Sequence, residues 1–184
     1  PVTSIEGSVI TVLGMGNIGG DYARKVKALG AHVIGLRKNN HDKPAFLDEQ
    51  YAISDLDAVL PRSDIVAMVL PGSPQTDRIM DERRLRTMKP GAFLLNAGRG
   101  TAIDLAALRA VLQEGRLGGA ALDVTDPEPL PADDMLWDLD NVLITPHVAG
   151  QLLLPETLTR IIRIAAENIA RWIKGETLRN IVPH

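Results

Sequence analysis

The sequence predicts an α/β fold, a parallel, doubly wound sheet with helices on both faces, built as a single domain. Three observations predict it. Short apolar runs lack polar alternation, as strands buried on both faces do. Amphipathic stretches with helical spacing separate those runs, the pattern of right-handed β-α-β crossovers. The first run leads directly into Gly14-Met15-Gly16-Asn17-Ile18-Gly19 at the head of a helix-like segment.

Val9 to Leu13 reads as the first strand. Asn17 to Leu29 follows as a helix, with Ile18, Tyr22, Val26 and Leu29 at helical spacing and Gly30 as its C-cap. His32 to Leu36 is the second strand, and residues 39–52 read as polar and irregular. Ser54 is placed as the N-cap of a short helix that Pro61 ends. Ile65 to Leu70 is the third strand, closed by Pro71-Gly72-Ser73-Pro74. A short helix from Asp81 to Thr87 and a turn at Pro90-Gly91 lead to the fourth strand, Ala92 to Leu95. Asp104 to Glu114 is a helix with Leu105, Leu108 and Leu112 on one face. Gly119 to Leu122 and Val142 to Ile144 are the fifth and sixth strands. Pro155 to Trp172 is a long helix with Leu158, Ile161, Ile162, Ala165 and Ile169 along one stripe. Residues 1–184 are thus read as one dinucleotide-binding domain, of which 151–184 form a C-terminal helix and tail.

Composition narrows the function. The chain has 184 residues, 45% of them hydrophobic and 23% charged, enough for a core and ordinary for a soluble protein. A net charge of −3 gives no footing for nucleic acid. There is no cysteine, which excludes disulfides and thiolate metal sites; no metal is expected. No apolar run approaches the ~20 residues of a membrane span, and Pro1 to Glu6 lacks the character of a signal peptide. A cytoplasmic protein, away from membranes, is the expectation.

In a doubly wound sheet, ligands meet the residues just past the carboxyl ends of the strands: 14–19, 37–40, 71–76, 96–101, 123–128 and 145–150. Ala97 and Gly150 join the cofactor-binding candidates on that placement. In the glycine loop, Gly14 permits a tight turn, Gly16 lets a pyrophosphate approach the backbone, and Gly19 lets the helix pack on the sheet. The helix N-terminus offers its N–H groups to the phosphates. About 20 residues past this loop an acid normally grips the ribose of NAD, but Arg37 stands there, followed by Lys38, Asn39 and Asn40. A guanidinium attracts the 2′-phosphate that a carboxylate would repel, so NADP is preferred over NAD. The plain alternative is a solvated surface arginine.

Three strand-end segments carry ionisable groups. Arg99, between Gly98 and Gly100, can pair with a substrate carboxylate. His147 can supply a proton to a carbonyl oxygen, and Glu128 can orient it and raise its pKa. That trio suits hydride transfer to a 2-oxo acid. Taken singly, a structural histidine, a solvated glutamate and a phosphate-binding or helix-capping arginine are the alternatives.

"VLGMGNIG", "DIVAMVLPGSPQTDRIM", "MKPGAFLLNAGRGTAID", "GGAALDVTDPEPLP" and "NVLITPHVAG" together resemble the cofactor-binding domain of the D-isomer-specific 2-hydroxyacid dehydrogenases, which include glyoxylate/hydroxypyruvate reductases. The resemblance covers nearly the whole chain and implies the Rossmann fold. It implies that Arg99, Glu128 and His147 are the catalytic Arg, Glu and His, and that Asn17 and Ile18 lie over the pyrophosphate. It implies further that Pro71 and Thr76 line the cofactor cleft and that Asp123 binds the nicotinamide carboxamide. It also implies a homodimer, with Pro129 to Asn141, including Leu136 and Trp137, in the contact. Family members carry a further stretch ahead of the glycine loop that builds a substrate-binding domain. The chain therefore resembles one half of a two-domain enzyme, expected on its own to bind cofactor weakly and to turn over very slowly or not at all. A dinucleotide-sensing module without turnover is the alternative function. A short-chain dehydrogenase is rejected: its Tyr-x-x-x-Lys is missing, since Val26 and Asp55 stand four residues past Tyr22 and Tyr51.

Overall fold

A computed structural model of the chain describes residues 4–38, 42–150 and 155–181. It comprises two compact units, Pro1–Pro146 and His147–His184.

In the first unit, seven strands among the described residues form one parallel sheet in the order β3-β2-β1-β4-β5-β6-β7. The strands are β1 (Val9–Leu13), β2 (His32–Arg37), β3 (Glu49–Ala52), β4 (Ile65–Met68), β5 (Phe93–Asn96), β6 (Gly119–Leu122) and β7 (Val142–Ile144). Four helices connect them: α1 (Asn17–Ala28), α2 (Leu56–Val59), α3 (Glu82–Thr87) and α4 (Leu105–Gln113). The sequence reverses direction across the sheet between β1 and β4, which opens a ligand crevice at their carboxyl ends.

The two faces bury different residues. Ile10, Val12 and Val33 pack with Ala23 and Val26 of α1 on one face. On the other, Leu13, Ile34, Met68, Leu94 and Leu122 join Leu56, Leu85, Leu108 and Leu112. The α4 stripe read from the sequence is the buried one, with Asp104 capping the helix by accepting from Ala107 N. Asp81 caps α3 in the same way. α1 ends in a Schellman turn: Gly30, at φ +89°, donates to Lys27 O, and Ala31 donates to Val26 O.

The α1 face is rotated from the sequence reading. Gly19, Ala23 and Val26 are buried, whereas Ile18 and Leu29 are exposed. Glycine and alanine face the sheet because that is where the helix backbone comes closest.

Part of the segment read as irregular is β3, an edge strand with none of its four residues buried. It is held by charge instead. Glu49 accepts from Arg62 at 2.5 and 3.1 Å and from Tyr51 at 2.7 Å, and lies 2.7 Å from His32 Nε2. Asp48, just before it, accepts from Val33 N and Lys27. Ser54 is not a helix cap; it lies within a 3₁₀ turn, Ile53–Asp55, that precedes α2. Leu136, assigned from the sequence to a dimer contact, is 1% exposed in the chain's own core, while Trp137 is 51% exposed with its indole N–H donated to Pro131 O.

The second unit, described by itself, is α5 (Pro155–Ile173) with its tail. Asn168 donates to Arg179 O and accepts from Arg179 N, and Glu167 pairs with the Arg179 guanidinium. Among the described residues no helix is long and apolar enough to cross a membrane.

Candidate dinucleotide site

The glycine loop joins β1 to α1, and its three glycines stand in three different settings. Gly14 has φ +99°, and a Cβ there would lie 2.7 Å from Val69 O. At Gly19 a Cβ would lie 1.9 Å from Gly14 O, so only glycine lets α1 seat on the loop. At Gly16, the N-cap of α1, a Cβ would meet no protein atom within 4 Å. The space in front of Gly16 is open, as a cradle for a pyrophosphate must be, and the first-turn amides of Asn17, Ile18 and Gly19 have no partner within the helix. Ile18 is 63% exposed beside that opening, which suits a residue lying over a bound group better than a core residue.

From this loop a cleft of about 490 Å³ runs across the ends of β1, β2 and β4. It brings together Gly14, Gly16, Arg37, Lys38, Pro71 and Thr76, all six expected at a cofactor site. Arg37 ends β2, half-buried, and Lys38 beside it is exposed. Asn39 and Asn40 lie outside the described residues. The Thr76 hydroxyl lies 2.8 Å from Pro71 O and 3.1 Å from Ser73 O, so it shapes the cleft wall by closing the loop after β4.

The cleft also contains Met15, Ser73 and Gln75, which lie in the strand-end segments read from the sequence without being singled out, and Ile53 and Leu70, which that reading missed. Ile53 follows β3, and that strand went unrecognised, so its strand-end position was not read. Its apolar surface with Leu70 suits the flat face of a purine.

Nearer the far edge, a hollow of about 130 Å³ is lined by Ala97, Asp123, Asn96 and Thr145 at the ends of β5, β6 and β7. Asp123 is 8% exposed, and the Thr145 hydroxyl donates to its Oδ1 at 2.6 Å. Asn96, 2% exposed, organises the next loop: its Oδ1 accepts from Gly98 N at 3.0 Å and its Nδ2 donates to Arg99 O at 2.9 Å. A Cβ at Gly98 would strike Leu70 O at 2.7 Å, and one at Gly100 would strike Thr125 O at 2.0 Å. The backbone around Arg99 is therefore fixed on both sides. Arg99 itself is extended and exposed, its stem passes Gly72, and its Nη1 donates to Gly98 O at 2.7 Å. Glu128 is exposed in the loop after β6, between Pro127 and Pro129, both preceded by cis peptide bonds. Arg99 and Glu128 thus follow neighbouring strands on one sheet edge. His147, at φ +54°, and the exposed Gly150 belong to the second unit.

A parallel sheet with a glycine loop at the head of α1 and a cleft across its switch point defines a dinucleotide-binding α/β protein. Residues 1–149 match the D-isomer specific 2-hydroxyacid dehydrogenase, NAD binding domain. The chain belongs to that family. It is 35% identical to a glyoxylate reductase of Korarchaeum cryptofilum over 97% of its own length and 53% of the relative's. Among solved structures, it superposes with a TM-score of 0.88 on an NADPH-dependent glyoxylate/hydroxypyruvate reductase of Sinorhizobium meliloti in complex with NADP and sulfate. The identity is 32%, covering 98% of this chain and 57% of that one. A family member from Xanthobacter autotrophicus Py2, in complex with NADPH and MES, gives a TM-score of 0.86 at 35% identity, covering 100% of this chain and 73% of that one. The chain spans about half the length of the curated relatives it matches.

Proposed function

We propose that this chain is the cofactor-holding part of a reductase that moves a hydride between NADPH and a small 2-oxo acid. The observation that carries the reading is the cleft: open space in front of Gly16 in the same hollow as Arg37 and Lys38. Asn17, Ile18 and Gly19 present the α1 amides to the pyrophosphate. Arg37 and Lys38 hold the 2′-phosphate, while Pro71 and Thr76 form the cleft wall. Ala97 and Asp123 serve the nicotinamide end, with Asp123 accepting from the carboxamide.

The nicotinamide supplies the hydride that reduces the substrate's carbonyl carbon. Arg99 holds the substrate carboxylate by a two-pronged pair. His147 is the proton donor to the carbonyl oxygen and Glu128 the carboxylate of the reaction, the roles the family resemblance implies for them. Substrate plus NADPH and one proton then yields 2-hydroxy acid and NADP⁺. Relatives named glyoxylate reductase and glyoxylate/hydroxypyruvate reductase support a short substrate side group. The protein acts in the cytoplasm and pairs with a second copy of itself, Trp137 contributing to the contact.

Titration with NADPH and NADH, on the wild type and on Arg37→Asp, tests the cofactor reading. The wild type binds NADPH about tenfold more tightly, as one charge-assisted contact implies. Arg37→Asp loses that preference and gains NADH affinity. Equal or tighter wild-type binding of NADH would overturn the role of Arg37, and binding of neither would overturn the site.

A further inference from the structure

We propose that Thr145 is a positioning residue that sets the direction of the Asp123 carboxylate, and through it the orientation of the nicotinamide. The inference rests on the function proposed above and deepens it at one position.

The register puts these two residues opposite each other. β6 and β7 pair Ala120 with Val142, Ala121 with Leu143 and Leu122 with Ile144, so Asp123 and Thr145 form the next rung beyond the last one. Thr145 N donates to Leu122 O at 2.9 Å, and Asp123 N donates to Asn96 O at 2.9 Å, so both backbones still follow the sheet. Residues at matched positions of a parallel pair point to the same face. Here that rule sets a hydroxyl against a carboxylate, and the 2.6 Å contact between them lies in the range of a bond to an ionised oxygen.

The bond restrains a torsion. The Cβ–Cγ torsion of an aspartate is broad by itself, so its partners decide where the carboxylate points. A donor on Oδ1 narrows that rotation and favours one direction in which the carboxylate accepts. At 8% exposure, water is a poor substitute for that donor. The Thr145 backbone is anchored to β6 and its side chain is β-branched, so the donor has little freedom of its own. A carboxamide N–H₂ arriving at the carboxylate then meets an acceptor already aimed. The same residue stands two positions ahead of His147, so one short segment both orients the cofactor acid and leads into the proton donor.

The test separates orientation from simple support of the fold. NADPH and 2′,5′-ADP, which keeps the adenine half and the 2′-phosphate but has no nicotinamide, are titrated into the wild type, Thr145→Val and Thr145→Ser. Thr145→Val is expected to weaken NADPH about fivefold, the size of one hydrogen bond's effect, and to leave 2′,5′-ADP within about twofold. The emission of bound reduced nicotinamide moves towards that of the free cofactor. Thr145→Ser keeps the hydroxyl and restores both. Equal weakening of the two ligands in Thr145→Val, or no weakening of NADPH, overturns the proposal while the site reading stands. Failure of the wild type to bind either ligand overturns both. Should Thr145→Val fail to fold, Thr145→Ala removes the hydroxyl with less steric demand and is held to the same outcomes.

Discussion

A methyl group added at Gly19 would lie 1.9 Å from Gly14 O, whereas one added at Gly16 would meet no protein atom within 4 Å. The two substitutions should therefore fail differently. Gly19→Ala drives α1 off the loop and should cost about 3 kcal/mol of stability, visible in thermal melts. Gly16→Ala should cost no more than about 1 kcal/mol, the loss of a tolerant cap, yet should abolish tight dinucleotide binding by calorimetry. A Gly16→Ala variant with undiminished affinity would show that the pyrophosphate lies elsewhere. At this scale the glycine loop was legible in the sequence because each glycine answers a local backbone demand. Asn96 and Thr145 were not, because their partners are brought to them by the fold: Thr145 meets Asp123 only after β6 and β7 have paired. Asn96 is local, but its side chain acts through backbone bonds to Gly98 and Arg99 that its residue type alone does not announce.

Among the elements, β3 shows how a strand escapes sequence reading. Glu49, Gln50, Tyr51 and Ala52 show no apolar alternation because an edge strand buries little, and its place is set by charge. The Arg62 guanidinium, with help from Tyr51 and His32, lowers the Glu49 pKa from 4.5 to about 2. A carboxyl depressed on folding stabilises the native state above its unfolded value and gives up that contribution as pH falls through its folded value. The contribution should thus be complete above about pH 4.5 and fade towards about pH 2. Glu49→Gln should show a shallower fall in melting temperature across that window than the wild type does. Matching slopes would mean that Glu49 is no better held in the native state than in the unfolded chain. The long elements were legible for the opposite reason. α4 buries Leu105, Leu108 and Leu112, and a helix anchored by a stripe advertises itself. The α1 face was misread because small residues, Gly19 and Ala23, do the packing there.

For the whole molecule, the sheet order decides where a cofactor can lie; the doubly wound class was legible from alternating element types, whereas the order, with β3 at its edge, came from the structure. Self-pairing is the property left to the surface. Leu136 is committed to the core, so the proposed dimer contact falls to Trp137, whose indole is held by Pro131 but half exposed. Trp137→Glu should shift the sedimentation mass from dimer towards monomer at micromolar concentration while leaving the melting temperature nearly unchanged. A variant that sediments as the wild type does would remove Trp137 from the interface. The same sheet order also governs how the chain is made. β1 lies inside the sheet, and its second neighbour, through the Ile10–Ile65 rung, is translated some fifty-five residues later. At ~5–20 residues per second, Ile10 and Val12 wait about 3–11 s for that side to close. During that interval one side of β1 carries unpaired backbone N–H and C=O groups, an edge open to pairing with another chain until β4 closes it.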